Sequence, residues 1–185
     1  MRLPRVTIYT GAACAGARGH RGGWAYVLTR TAAVKAEASG MEASATQMQM
    51  GLQAAIEGLR ALEQRSEVEV RSDLEYIVNG MNNWLRRWRN HKWKTAEGGP
   101  VKNRGQWEEL DALSQKHIVK WTWVRGHSGD PDNERCHFLA RQEANIPEGV
   151  EPWWQLRKQE KAGALHRYNT VEVAAAPVAI WDITS

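Results

Sequence analysis

Val6-Thr7-Ile8-Tyr9-Thr10-Gly11 is the stretch that decides the fold. Val6 and Ile8 alternate with Thr7 and Tyr9, the period-two pattern of a half-buried strand. The strand runs into a small-residue turn, Gly11-Ala12-Ala13-Cys14-Ala15-Gly16. A loop rich in Gly and Arg follows from Gly16 to Gly23. Trp24-Ala25-Tyr26-Val27-Leu28 then reads as a second strand, and a weaker third lies around Ala36 to Met41, which together make an antiparallel meander. No Asp or Glu occurs before Glu37, whereas Arg2, Arg5, Arg18, Arg21, Arg30 and Lys35 all do. The end of the first strand therefore has no carboxylate of its own.

Beyond the meander, Thr46 to Arg65 has a helical pattern, with Leu52, Ala55, Ile56, Leu59 and Leu62 on one face. Glu67-Val68-Glu69-Val70 alternates as a strand and ends at Ser72-Asp73. Strand, helix, strand is a right-handed crossover between parallel strands. Sites in such sheets lie beyond the carboxyl ends of the strands, which places Asp73 near Gly11. Leu74 to Asn90 reads as helix broken near Met81-Asn82-Asn83, followed by a loop at Gly98-Gly99-Pro100 and a helix from about Arg104 to Gln115. Ile118 to Val124 is a strand with Trp121 and Trp123 on one face. Asp130 before Pro131 starts a last helix that runs through Cys136 to about Glu143. Past Pro147 the composition shifts. Trp153–Tyr168 reads as a helix with a poor apolar stripe, Thr170–Val173 as a strand, and Ala174–Ser185 as an extended tail.

A chain of 185 residues with 42% hydrophobic residues can build one domain with an appendage. Its net charge of +4 suits a polyanionic partner. Ten Trp stand against one Phe. Two cysteines, Cys14 and Cys136, make neither a disulfide framework nor a zinc set, and read as small buried residues in a reducing compartment. No apolar run has signal-peptide or membrane-span length. The expected location is intracellular and cytoplasmic, with no membrane partner.

Two segments carry a resemblance to a known family. One is Trp93-Lys94-Thr95 with Pro100-Val101-Lys102-Asn103 and Trp107. The other is Trp121-Thr122-Trp123-Val124-Arg125-Gly126-His127-Ser128-Gly129 with Asn133-Glu134-Arg135-Cys136 and Leu139-Ala140. The chain resembles bacterial type 1 ribonuclease H over roughly residues 5 to 145, most strongly from 73 to 140. The resemblance implies an α/β ribonuclease H-like fold: a mixed five-stranded sheet, antiparallel meander plus parallel strands, flanked by helices. It also implies domain limits of 1–145, with a basic helical protrusion at about 84–104, and leaves 146–185 as a C-terminal extension.

That family cleaves the RNA strand of an RNA–DNA hybrid with four carboxylates that hold two divalent ions, Mg²⁺ or Mn²⁺, about 3.5–4 Å apart. Matched residue by residue, the first carboxylate position is Gly11. The second is Gly51, within Met50-Gly51-Leu52. The third, Asp73, is intact, and the fourth is His137, after Cys136. His127 matches the family's mobile catalytic histidine. A lone Asp73 does not hold two hard dications, so the expectation is no cofactor and no metal ligand set. These five positions are then vestigial and the chain lacks the family's activity. The amide-bearing positions that meet bases and 2′-hydroxyls also change: Ala17 stands in the first turn, Met48 after Gln47, and Glu75 after Leu74.

The family's DNA-gripping region is retained. Trp84, Arg86, Arg87, Trp88, Arg89, His91, Lys92, Trp93, Lys94, Lys102 and Arg104 lie close together, with Glu97 the one acid among them. Interleaved Trp and cations suit a surface that tracks phosphates and stacks bases; for Trp84, Trp88 and Trp107 core packing is the preferred reading, since Trp84 and Trp88 fall on one helix face. Thr46 reads either as part of a phosphate pocket or as a helix N-cap, and Gln47 as a minor-groove contact. Three functions follow as expectations: a catalytically inactive binder of hybrid or duplex nucleic acid within a larger assembly, an adaptor that docks a protein partner through 146–185, or a hybrid nuclease with a rebuilt metal site, with His137 as an Mn²⁺ ligand.

Overall fold

The strand opened by Val6 is the middle of the sheet. The computed structural model describes residues 2–16, 20–31 and 34–147. Strands β1 (Arg5–Cys14), β2 (His20–Thr31) and β3 (Val34–Ala45) form the meander, and β4 (Glu67–Ser72) and β5 (Ile118–Trp123) complete a five-stranded sheet in the order β3-β2-β1-β4-β5. β1 pairs antiparallel with β2 and parallel with β4, and β4 pairs parallel with β5. The mixed sheet expected from the sequence is present.

Helix α1 (Gln47–Arg60) crosses from β3 to β4 on one face. Thr46 is its N-cap: the Thr46 hydroxyl accepts from the Gln49 backbone N–H, and the Gln49 side chain accepts from the Thr46 N–H, a reciprocal capping box. The helix ends at Arg60 rather than Arg65, because Ala61 closes the last turn onto Glu57 and Leu59. Leu52, Ile56 and Leu59 are fully buried against Ile8, Val68 and Val70. Each such side chain withdrawn from water contributes about 1.5–3 kcal/mol.

The break read at Met81–Asn83 is real. Helix α2 (Glu75–Asn79) widens into a π-helical turn at Gly80–Trp84 and resumes as α3 (Leu85–Asn90). Helix α4 (Arg104–Ser114) packs beside α1, with the Gln106 side-chain amide donating to the Gln49 carbonyl and the Gln53 side chain. Helix α5 (Pro131–Glu143) starts at Asp130, whose carboxylate accepts from the N–H groups of Asp132 and Asn133, and it lies across β1 and β2 on the face opposite α1.

Two sequence readings are corrected. The stretch Gly11–Cys14 is not a turn, and Gly22–Gly23 is not loop. Gly11, Ala12, Ala13 and Cys14 pair with Ala25, Trp24, Gly23 and Gly22. Small residues carry this end of the sheet because helices press on it from both sides. The helix, strand and tail read beyond Pro147, and the change at Ala17, lie outside the described residues. Among the described residues no helix is long and apolar enough to cross a membrane.

Candidate functional site

Gly11, Asp73, His127 and His137 come together at the carboxyl ends of β1 and β4, as the crossover requires. Asp73 follows β4 directly. Its Oδ2 lies 3.4 Å from Nε2 of His137 on α5, and the two side chains are 12% and 9% exposed. His127, in the loop between β5 and α5, stacks on His137 with ring centroids 4.6 Å apart. Its Nδ1 is 3.2 Å from Glu134 Oε2. Burial raises the Asp73 carboxyl above its ordinary range, against the pull of His137; burial likewise lowers His137, against the pull of Asp73.

The two glycine positions are closed. A Cβ on Gly11 would stand 2.7 Å from the carbonyl carbon and oxygen of Cys136 in α5. A Cβ on Gly51 would stand 2.1 Å from Leu74 Cδ1 and 2.8 Å from Ile77 Cδ1. The first space is filled by helix backbone and the second by apolar side chains. Among the described residues no three His, Cys, Asp or Glu side chains converge as a metal cluster. Cys14 and Cys136 are buried, and burial pushes the Cys14 thiol up to about 11 and Cys136 higher still.

The protrusion is built on aromatic packing. Trp84, Trp88, Trp93 and Trp107 form a continuous group with Tyr76, neighbouring ring centroids lying 4.9 to 6.4 Å apart. Trp88 and Trp93 are 5% and 9% exposed and belong to the main core. Core packing is what the structure shows for Trp88, held edge-to-face against Trp107, and the stacking role expected of Trp93 is corrected, since its ring is buried and Arg104 lies over it. Trp84 is half-buried. The cations fare differently. Arg86, Arg87, Lys92, Lys94 and Lys102 are exposed, and among the described residues no carboxylate lies within ion-pair distance of Arg86, Lys92, Lys94 or Lys102. Arg89 instead reaches Asp111 of α4, at 3.4 Å.

Between α1 and the protrusion lies a cleft of about 870 Å³, lined among others by Thr46, Met48, Gln49, Tyr76, Thr95 and Lys102. Thr46 caps the helix, as one of its two readings has it, and also lines this cleft. Gln47 is half-buried on the first turn of α1 and outside this lining. Sequence reasoning missed Leu74, the side chain that fills the space beside Gly51. No charge or motif marks it; its position just after Asp73 was the available signal.

The RNase H family model matches residues 4–145. Ribonuclease HI of Neisseria meningitidis serogroup B (strain MC58) is 47% identical over 139 residues, covering 75% of this chain and 94% of that protein. Ribonuclease H of Thiobacillus denitrificans is 44% identical over 137 residues, covering 74% and 91%. Among solved structures, LC9-RNase H1, described as a type 1 RNase H with the type 2 active-site motif, superposes with a TM-score of 0.71 at 29% identity, covering 78% of this chain and 74% of that one.

Proposed function

The chain belongs to the ribonuclease H family, and from that premise we propose that it binds RNA–DNA hybrid or duplex nucleic acid without cutting it. The observation that carries the reading is the contact of Gly11 with the α5 backbone. The family chemistry needs clustered carboxylates to offset two dications. Here the space of the first carboxylate is taken by the Cys136 carbonyl, that of the second by Leu74, and the fourth is an imidazole. The residues present do not fit a pair of hard dications, and no step is derived through them.

Binding rests on the exposed cations of the protrusion. Lys92, Lys94, Lys102 and Arg86 offer phosphates charge with no carboxylate beside it among the described residues, Arg87 adds an exposed cation, and binding would release condensed counterions from the nucleic acid. The buried Trp88 and Trp93 hold this surface rigid rather than touching bases. The cleft beside Thr46 gives a backbone a path between α1 and the protrusion.

The test is a titration of the purified chain against labelled hybrid, duplex DNA and duplex RNA of one sequence, with Mg²⁺ or Mn²⁺, reading binding and cleavage together. Binding without cleavage is expected, with loss of binding in the triple variant Arg86→Glu, Arg87→Glu, Lys92→Glu. Cleavage by the native chain that disappears in Asp73→Asn overturns the proposal, as does unchanged affinity in the triple variant.

A further inference from the structure

The amino ends of β1, β4 and β5, at the opposite end of the sheet from Asp73, gather cations. Two backbone hydrogen bonds set these strand starts side by side: the Glu67 N–H donates to the Pro4 carbonyl, and the Ile118 N–H to the Ser66 carbonyl, each at 2.9 Å. Arg2 and Arg5 flank Pro4, Arg65 precedes Ser66, and Lys116 precedes His117. β2 runs antiparallel to β1 and brings Arg30, next to the Thr7–Thr29 pair, to the same end. Arg2, Arg30, Arg65 and Lys116 are exposed, and among the described residues no carboxylate lies within ion-pair distance of any of them. Arg5 and Lys120, 68% and 76% exposed, meet Glu67 at 3.0 Å and Glu69 at 3.5 Å; pairs so open to water hold their cations weakly. Glu63, in the connection from α1 to β4, adds one opposing charge.

Helix α4 links this end to the protrusion. Arg104 at its start lies over Trp93, and Lys116 follows its end, after about 16 Å of helix at 1.5 Å per residue. Along the helix, the acids Glu108, Glu109 and Asp111 are taken by Arg104, Arg60 and Arg89. The belt between the two cation clusters is therefore charge-balanced, and the clusters are separate surfaces.

We propose that this end of the sheet is a second contact surface for a nucleic-acid phosphate backbone, through Arg2, Arg30, Arg65 and Lys116, so that one chain bridges two duplexes. Regularly spaced phosphates need only accessible positive charge, and contact releases their condensed counterions. A docked protein needs buried anchors as well. The hollow of about 770 Å³ beside Arg5, Arg30 and Lys120 is lined mostly by charged and hydroxyl side chains, with Ile118 the one large exposed apolar group at this end among the described residues. Bridging rests on the protrusion binding proposed above; the charge cluster does not.

The experiment mixes the full-length chain at low salt with two populations of one short duplex DNA, one carrying a donor dye and the other an acceptor. Anisotropy reads binding and energy transfer between duplexes reads bridging. The expected result is transfer that rises as chain is added. The triple variant Arg30→Glu, Arg65→Glu, Lys116→Glu should abolish transfer while anisotropy still reports a bound duplex. The neutral variant Arg30→Gln, Arg65→Gln, Lys116→Gln should weaken transfer and lower the slope of its logarithm against log salt by about 0.9 for each charge removed. Binding without transfer in the native chain overturns this inference alone; neither binding nor transfer overturns it together with the function proposed above. Unchanged transfer in the Glu variant also overturns it, since the bridge then lies elsewhere on the chain. Should the Glu variant fail to fold by circular dichroism, the neutral variant decides, and native transfer with a native salt slope overturns the proposal.

Discussion

Gly11 and Cys136 meet backbone to backbone: a Cβ on Gly11 would lie 2.7 Å from the Cys136 carbonyl carbon. No rotamer change relieves such a contact, because the obstacle is the helix itself. Gly11→Ala should cost about 1–3 kcal/mol, and Gly11→Asp more, since it also places a carboxylate against a carbonyl oxygen. Urea denaturation measures both. The combined variant Gly11→Asp, Gly51→Glu, His137→Asp should be less stable than the native chain; equal stability would show that α5 can retreat from β1.

Gly51 faces a softer obstacle. Its missing Cβ would meet the end of the Leu74 side chain at 2.1 Å, and a side chain can turn aside where a backbone cannot. Gly51→Ala should therefore destabilise less than Gly11→Ala. Leu74→Ala should offset part of that loss, with a favourable coupling of about 0.5–3 kcal/mol in a double-mutant cycle. Strict additivity would remove Leu74 as the cause.

The unpaired cations predict a salt signature. Neutralising Lys92, Lys94 or Lys102 takes one positive charge away from the phosphates. Each such change should lower the slope of log affinity against log salt by about 0.9 on duplex DNA. Arg89 reaches Asp111, which is only 7% exposed. Arg89→Ala should change the slope less and the melting temperature more. Fluorescence anisotropy at several salt concentrations, paired with thermal unfolding, separates the two effects.

His117, between α4 and β5, is buried with its Nδ1 unpartnered. Burial lowers it from the ordinary 6.5, aided by Lys116 and Arg65. A histidine depressed in the fold contributes stability above its unfolded value and loses it as pH falls through the folded one. Folding stability should thus decline as pH drops below 6.5, and His117→Asn should flatten part of that decline in denaturant titrations across the window. An unchanged slope would place the titration elsewhere.

Much of this architecture was legible because its signals are local. Alternation in Val6–Tyr9, the 3.6-residue stripe of Leu52 to Leu59, and Asp130 before Pro131 each name an element without its neighbours. The helical interruption at Met81–Asn83 was also visible. What misled was small residues. Gly22 and Gly23 resemble a loop in sequence, yet both lie in β2; a Cβ on Gly23 would stand 2.0 Å from the Ala140 carbonyl oxygen. Gly23 is small because α5 lies against it, a demand that originates over a hundred residues away, and Gly22 because Met50 of α1 stands where its Cβ would be. Trp93 misled in the opposite sense. It shares a segment with exposed cations, and only its packing on Trp88 shows that the ring is internal, whereas the shared helix face of Trp84 and Trp88 already pointed to core packing.

The π-helical turn at Gly80–Trp84 has one more effect. β5 ends the sheet, and its outer rim offers backbone groups that a strand from another molecule can zip onto. The wide turn carries Asn82 to that rim, where its side-chain amide donates to the Trp121 carbonyl at 3.1 Å. Trp123 folds its indole N–H back to the Asp73 carbonyl. One acceptor is thereby consumed and the neighbouring strand end is shielded by a bulky ring, so the helix irregularity that shapes the protrusion also works as a guard against edge-to-edge aggregation.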